Sequence, residues 1–181
     1  ITGPISKTIS HHGIIGVYEQ LDDAGKQVFN RAYDVTYLPM KAVLQEIQEA
    51  QVSELVQDLA STTLPVIVAG DLNSEPNDPA SSPWDQMNRA GFTDLWTARL
   101  GRPHPGGTCC HSPDLSNATS MLDRRLDYVW VRPDAAHRVG PVVMTVFGDD
   151  LDERTGSGLW PSDHGGLFGG VALIPTEVAQ H

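Results

Sequence analysis

The chain has 181 residues, enough for one domain or at most two, and its 12 basic and 23 acidic residues give a net charge of −11. Its hydrophobic share of 40% is that of a globular protein, while 19% charged residues is too few for a coiled coil, a basic nucleic-acid arm or a charge-driven disordered tail. Seventeen glycines and 13 prolines make it rich in loops, and no apolar run approaches the roughly 18 residues of a membrane-spanning helix.

Residues 14–38 read as a hairpin. Ile14, Ile15, Val17 and Tyr18 are strand formers, Asp22-Asp23-Ala24-Gly25-Lys26 is turn chemistry, and Val28, Phe29, Tyr33, Val35, Tyr37 and Leu38 resume a strand. Residues 40–60 form the clearest helix. Met40, Val43, Leu44, Ile47, Gln51, Leu55, Val56 and Leu59 keep the i, i+3, i+4 rhythm, and Pro39 stands just ahead. Residues 64–69 are a short unbroken apolar run, which predicts a strand buried on both faces in the middle of a sheet. A second helix opens at Ser82-Pro83 and ends at Gly91. Residues 101–121 are a long polar loop. Strands return at 125–131, 141–147 and 167–174, with an irregular stretch at 148–166. The order β-β-α-β-α-β-β-β predicts a mixed α/β protein.

The two cysteines, Cys109 and Cys110, are neighbours. They cannot staple distant segments, and they lack the two-residue spacer of common zinc sites. The first residue is Ile1, with no charged segment leading into an apolar one. The native start is therefore not visible, and localisation is unassigned, with a lean toward a secreted or extracytoplasmic protein.

Three segments concentrate polar groups at strand ends: Gly70-Asp71-Leu72-Asn73-Ser74, Arg124-Arg125-Leu126-Asp127-Tyr128 and Pro161-Ser162-Asp163-His164-Gly165-Gly166. Ligand sites of α/β sheets lie beyond the carboxyl ends of strands. Asp71 and Asn73 either offer hard oxygen ligands there or form an Asx-turn that caps the strand exit. Asp127, inside an apolar strand, needs a partner: either Arg125 on the same face or an imidazole that it orients. Ser162-Asp163-His164 is too compact for a nucleophilic triad. It reads either as a solvated turn or as an Asp on a metal beside a His near a substrate oxygen.

Taken together, GDLNS, RLDY and SDH resemble, in order, the motifs G-D-[FL]-N-x, R-[IL]-D-[YF] and S-D-H of the C-terminal half of the endonuclease/exonuclease/phosphatase (DNase-I-like) superfamily. Upstream, Thr36-Tyr37-Leu38 stands where that family has Thr-His-Leu, followed by a helix with a mid-helix glutamine, here Gln51. The resemblance covers about residues 28–174. It implies half or more of a four-layer α/β/β/α sandwich, with a mixed sheet flanked by helices. Residues 1–181 then form a single domain lacking the family's N-terminal half, which supplies an Asn and a metal-binding Glu. Glu19 resembles that Glu only superficially, because it lies too close to Thr36.

The resemblance also implies hydrolysis of a phosphoester assisted by Mg²⁺ or Mn²⁺, with Ca²⁺ as a further option. Asp71 would orient or deprotonate the attacking water and help hold the metal, and Asn73 would hold that water or a non-bridging oxygen. Asp163 would bind the metal. His164 would contact the phosphoryl oxygen, Asp127 would fix His164, and Tyr37 would add a donor. Arg125 and Trp160 are candidate substrate contacts. The charge of −11 disfavours nucleic acid, despite a local patch from Arg99, Arg102, Arg124 and Arg125. The expectation is a phosphodiesterase or phosphatase for small or lipid head-group substrates, with nuclease activity left open. The reading from another class is a non-catalytic or incomplete half-domain acting as a binding or assembly module. Its bare apolar sheet face would be covered by the missing half, a longer parent protein or a second copy. His11 and His12 read as solvated and Trp84 and Trp96 as core. His104 and His111 lie in the loop beside the presumed site.

Overall fold

The structure, a computed structural model, describes residues 22–32, 38–76, 83–99 and 105–176. The chain divides into two compact units, Ile1–Glu46 and Ile47–His181. In the first, helix α1 spans Asp23–Ala32. A helix therefore stands where a hairpin turn and second strand were expected. The physical reason is that turn chemistry and helix-cap chemistry use the same residues. The Asp22 carboxylate accepts the Gly25 N–H at 2.7 Å, and the Asp22 carbonyl accepts the Lys26 N–H at 2.8 Å. The rest of the expected hairpin, 14–21 and 33–37, lies outside the described residues.

Helix α2 spans Leu38–Leu59. Its expected apolar stripe packs only in the C-terminal part, where Val52, Leu55, Val56 and Leu59 meet the core; Met40, Val43, Leu44 and Ile47 are exposed. Strand β1 (Val66–Asp71) is followed by helix α3 (Pro83–Arg89), a short strand β2 (Thr93–Asp94) and a single turn of helix α4 (Leu95–Ala98). Gly91, at φ +82°, ends α3 as expected, and the Phe92 N–H returns to the Met87 carbonyl. Strands β3 (Asp127–Arg132), β4 (His137–Phe147) and β5 (Gly166–Pro175) complete the order.

Strand β3 is the centre of a three-stranded antiparallel sheet ordered β1-β3-β2, and β4 and β5 form an antiparallel pair with a bulge between Val139 and Val142. Pro141, which has no N–H to give, sits in that bulge. Alternation along β3 sends Tyr128 and Trp130 to a core closed by α2 and α3, with Val52, Met87 and Phe92. Val129 and Val131 turn the other way, against Leu95, Val142, Met144, Val171 and Leu173. The mixed α/β class is the expected one. The place of β1 is not: among the described residues it is an edge strand, and Ile67 is 66% exposed. Val143, 66% exposed, and Phe168, 69% exposed, likewise leave one side of the β4–β5 pair bare. Among the described residues, no helix is long and apolar enough to cross a membrane.

Candidate active site

Antiparallel pairing of β1 with β3 puts Asp71, the last residue of one, directly opposite Asp127, the first of the other. Two carboxylates facing each other across a ladder repel, an arrangement that packing alone does not favour. The third group arrives from the segment before β5. His164 forms an isolated antiparallel bridge with Cys109, and its Nδ1 lies 2.8 Å from an oxygen of Asp127. A carboxylate oxygen from each Asp and a ring nitrogen of His164 all lie within 4.8 Å of one another. The imidazole and Asp127 are partly buried, so the cluster sits at the surface with one side open.

The surroundings explain why these groups stay together. Thr108, fully buried, accepts the N–H groups of Leu126 and Asp127 on its hydroxyl, both at 3.1 Å, while its carbonyl accepts Gly165 N–H at 2.8 Å. One residue thus fixes the start of β3 and the turn carrying His164. Gly165 has no room for a side chain: a Cβ there would stand 2.6 Å from the Leu122 side chain. His111 is buried and stacks on Trp160 at 4.1 Å. Its Nε2–H donates to the Gly148 carbonyl at 2.9 Å, its Nδ1 accepts from Asn117 at 3.0 Å, and its main-chain N–H holds the Asp163 carbonyl at 2.9 Å. The Tyr128 hydroxyl lies 2.6 Å from the Ser74 carbonyl and 2.9 Å from that of Arg125. Burial pushes this phenol upward, so it stays protonated.

The Asx-turn reading of the Asp71 segment is the one its hydrogen bonds show. Asn73, at φ +50°, donates its N–H to Asp71 Oδ1 at 2.6 Å, an Asx-turn, while a carboxylate oxygen of Asp71 belongs to the cluster. The Asn73 carbonyl accepts from Gln48 at 3.3 Å, so Gln48 rather than Gln51 reaches this loop. Asp163 is exposed and outside the cluster of three; its carboxylate accepts from the Ser162 hydroxyl at 3.3 Å. Arg125 is not a surface contact. Its guanidinium is closed off by buried Asp94 at 2.6 Å and lies over the Tyr128 ring, and of the two partners open to Asp127 the one that Asp127 meets is the His164 imidazole. Trp160 is 1% exposed and lines no open surface. Trp84 and Trp96 belong to the interior as expected. Tyr37, Glu19, Arg102 and His104 lie outside the described residues.

Asp71 is exposed overall, yet partial burial of its carboxyl pushes its pKa above the ordinary carboxylate range. Asp127 adds to the rise, whereas the Asn73 N–H, His164 and Arg124 oppose it. The folded chain therefore binds this proton more tightly than the unfolded one. Its stabilising contribution is full at acid pH and is lost as pH rises through the raised pKa. In chelator-treated protein, the Asp71 carboxyl followed by NMR is expected to titrate above the ordinary Asp range, and Mg²⁺ is expected to lower its midpoint. An ordinary midpoint unmoved by Mg²⁺ would separate Asp71 from any cation site.

Comparison with known proteins gives several partial matches. Over 109 residues the chain is 32% identical to the chloroplastic ketol-acid reductoisomerase of Pisum sativum, covering 59% of this chain and 17% of that protein. Over 49 residues it is 45% identical to the corresponding protein of Spinacia oleracea, covering 27% and 8%. Among solved structures, an endonuclease/exonuclease/phosphatase family protein from Bacteroides thetaiotaomicron aligns with TM-score 0.44 at 19% identity, over 71% of this chain and 44% of that one. A mannosyl-6-phosphatase from the same species aligns with TM-score 0.42 at 18% identity, over 72% and 45%. The chain thus spans under half the length of these structural neighbours and under a fifth of the two plant proteins. The model of the endonuclease/exonuclease/phosphatase family matches residues 4–164, nearly the whole of the described site included, and the chain belongs to that family.

Proposed function

We propose that this chain carries the catalytic groups of a divalent-cation-dependent phosphoester hydrolase. The observation that supports the reading is the convergence of Asp71, Asp127 and His164 from three separate segments, with ligand atoms within 4.8 Å of one another. The plant reductoisomerase matches span small parts of those proteins, whereas the family match spans residues 4–164.

The donor set fits a hard or borderline divalent cation. Two carboxylates face each other, the proximity of Asp127 helps raise the pKa of Asp71, and a positive charge between them would relieve that repulsion. Asp71 and Asp127 would hold Mg²⁺ or Mn²⁺, with exposed Asp163 close in sequence to the cluster. When bound, such a cation supplies charge that polarises the phosphoryl group and steadies the leaving oxygen. Asp71 orients the attacking water and accepts its proton. Asp127 holds Nδ1 of His164, leaving Nε2 to meet a phosphoryl oxygen where negative charge grows. Asn73 contributes an amide beside Asp71. The charge of −11 points to small phosphodiesters or phosphomonoesters over duplex DNA.

The test is hydrolysis of bis-p-nitrophenyl phosphate and of plasmid DNA, each with and without EDTA. The small ester is expected to be cleaved, EDTA to abolish cleavage and Mg²⁺ or Mn²⁺ to restore it, with plasmid cut poorly. Cleavage indifferent to EDTA overturns cation dependence. A second reading is favoured by the exposed Ile67, Val143 and Phe168: an incomplete half-domain that binds or assembles through its apolar faces. Absence of hydrolysis together with self-association in sedimentation would select it.

A further inference from the structure

We propose that Cys109 and Cys110, once reduced, form with His164 a site for one thiophilic cation of the zinc or cadmium class, whose occupation withdraws His164 from the phosphoester. The ligand atoms of these three residues all lie within 4.8 Å of one another. The main chain holds Cys109 and His164 so, and Cys110 follows Cys109 directly in the chain. Cys109 and His164 are bridge partners, which puts their side chains on one side of the ladder. Arg124 pairs with the other edge of Cys109, and the Gly165 N–H ties the turn to Thr108.

Two sulfurs and an imidazole are the donors that borderline-soft cations take in preference to Mg²⁺. Because Asp127 occupies Nδ1 of His164, Nε2 is the free ring donor, and a carboxylate behind an imidazole is the usual device for orienting a histidine ligand. Cys109 is 2% exposed, but Cys110 and His164 are only partly buried, so a cation can enter from their side.

In the structure the two sulfurs are joined to each other and cannot ligate. A phosphine reductant opens the site. Its phosphorus lone pair attacks one sulfur, the S–S bond breaks, and water gives its oxygen to phosphorus and its two protons to the sulfurs, leaving a phosphine oxide and two thiols. The cation then displaces both thiol protons, forms two metal–sulfur bonds and takes the Nε2 lone pair. Binding stands on this geometry alone; its inhibitory effect rests on the phosphoesterase reading.

Titration of Cd²⁺ into the phosphine-reduced chain, followed by thiolate-to-cadmium ultraviolet absorption, tests the site. One equivalent is expected to bind, with no band in the oxidised chain or in a Cys109→Ser/Cys110→Ser variant. His164→Ala is expected to weaken binding about tenfold. In parallel, Zn²⁺ is expected to inhibit the reduced enzyme at least about tenfold and the oxidised one less than about twofold. No band on reduction, or equal Cd²⁺ affinity in His164→Ala, overturns the proposal. If the serine variant does not fold, the oxidised wild type is the control in the same chain. If neither redox form hydrolyses a phosphoester, the phosphoesterase reading falls while the Cd²⁺ titration still decides the site.

Discussion

His164→Ala is expected to lower kcat on a phosphoester at least about a hundredfold, the loss that follows removal of one well-placed donor to developing charge. The expectation rests on orientation. The ring is pinned at Nδ1 by Asp127 at 2.8 Å, its main-chain N–H is taken by the Ser162 hydroxyl at 3.1 Å, and Gly165 behind it is fixed to Thr108. A donor held this firmly loses little entropy when charge appears in front of it, so the loss belongs in kcat far more than in KM. Asp71→Ala is expected to fall as far through loss of the water-orienting carboxylate. Asp127→Asn is expected to fall less, because an amide oxygen still accepts the Nδ1 proton but brings no charge. Steady-state kinetics on the small ester decides each case. Near-wild-type turnover of a folded His164→Ala protein would take the imidazole out of the chemistry.

The largest expected loss of stability lies outside the cluster, at Asp94. This buried carboxylate accepts from Arg125 at 2.6 Å, the Thr97 hydroxyl at 2.6 Å, the Trp96 N–H at 3.0 Å and the Trp84 indole at 3.2 Å. It ties β2, α4, α3 and the entry to β3 together. Asp94→Ala leaves a guanidinium that is 10% exposed without its counter-charge, and breaking a buried pair from one side costs about 3–5 kcal/mol. For a chain of this size that is a fall in Tm of roughly 6–20 °C by calorimetry. Replacing both partners, as in Asp94→Leu with Arg125→Met, is expected to recover much of the loss. A Tm of Asp94→Ala close to wild type would show that Arg125 finds another partner.

The parts of the fold that were legible are those set by short-range physics. The existence of helix α2, the Pro83 and Gly91 ends of α3 and the position of Asp71 at the exit of its strand appear as expected, whereas Asp127, expected inside a strand, begins one. The residues from three motifs meet because motif order follows chain topology. The failures are equally specific. Asp22 caps a helix because cap and turn draw on the same side-chain hydrogen bond. Period-two alternation puts Arg125 on the face of Asp127, but β3 begins at Asp127 and the alternation does not reach back to 125. The run 64–69 looks central by composition, yet Val131 and Trp130 of β3 hold the middle, each with neighbours on both edges. The roles of Thr108, His111 and Asp94 are not legible in the sequence because they depend on partners far along the chain, with no periodicity to announce them.

The opposed carboxylates also bear on the end of the sheet itself. Asp71 and Asp127 are the final rung joining β1 to β3, so their mutual repulsion works to unzip the ladder from that end. Whatever neutralises them, whether a proton or a bound cation, acts at the same moment as a clasp on two strands. Amide exchange at that rung would then register occupancy of the cluster without any substrate being turned over.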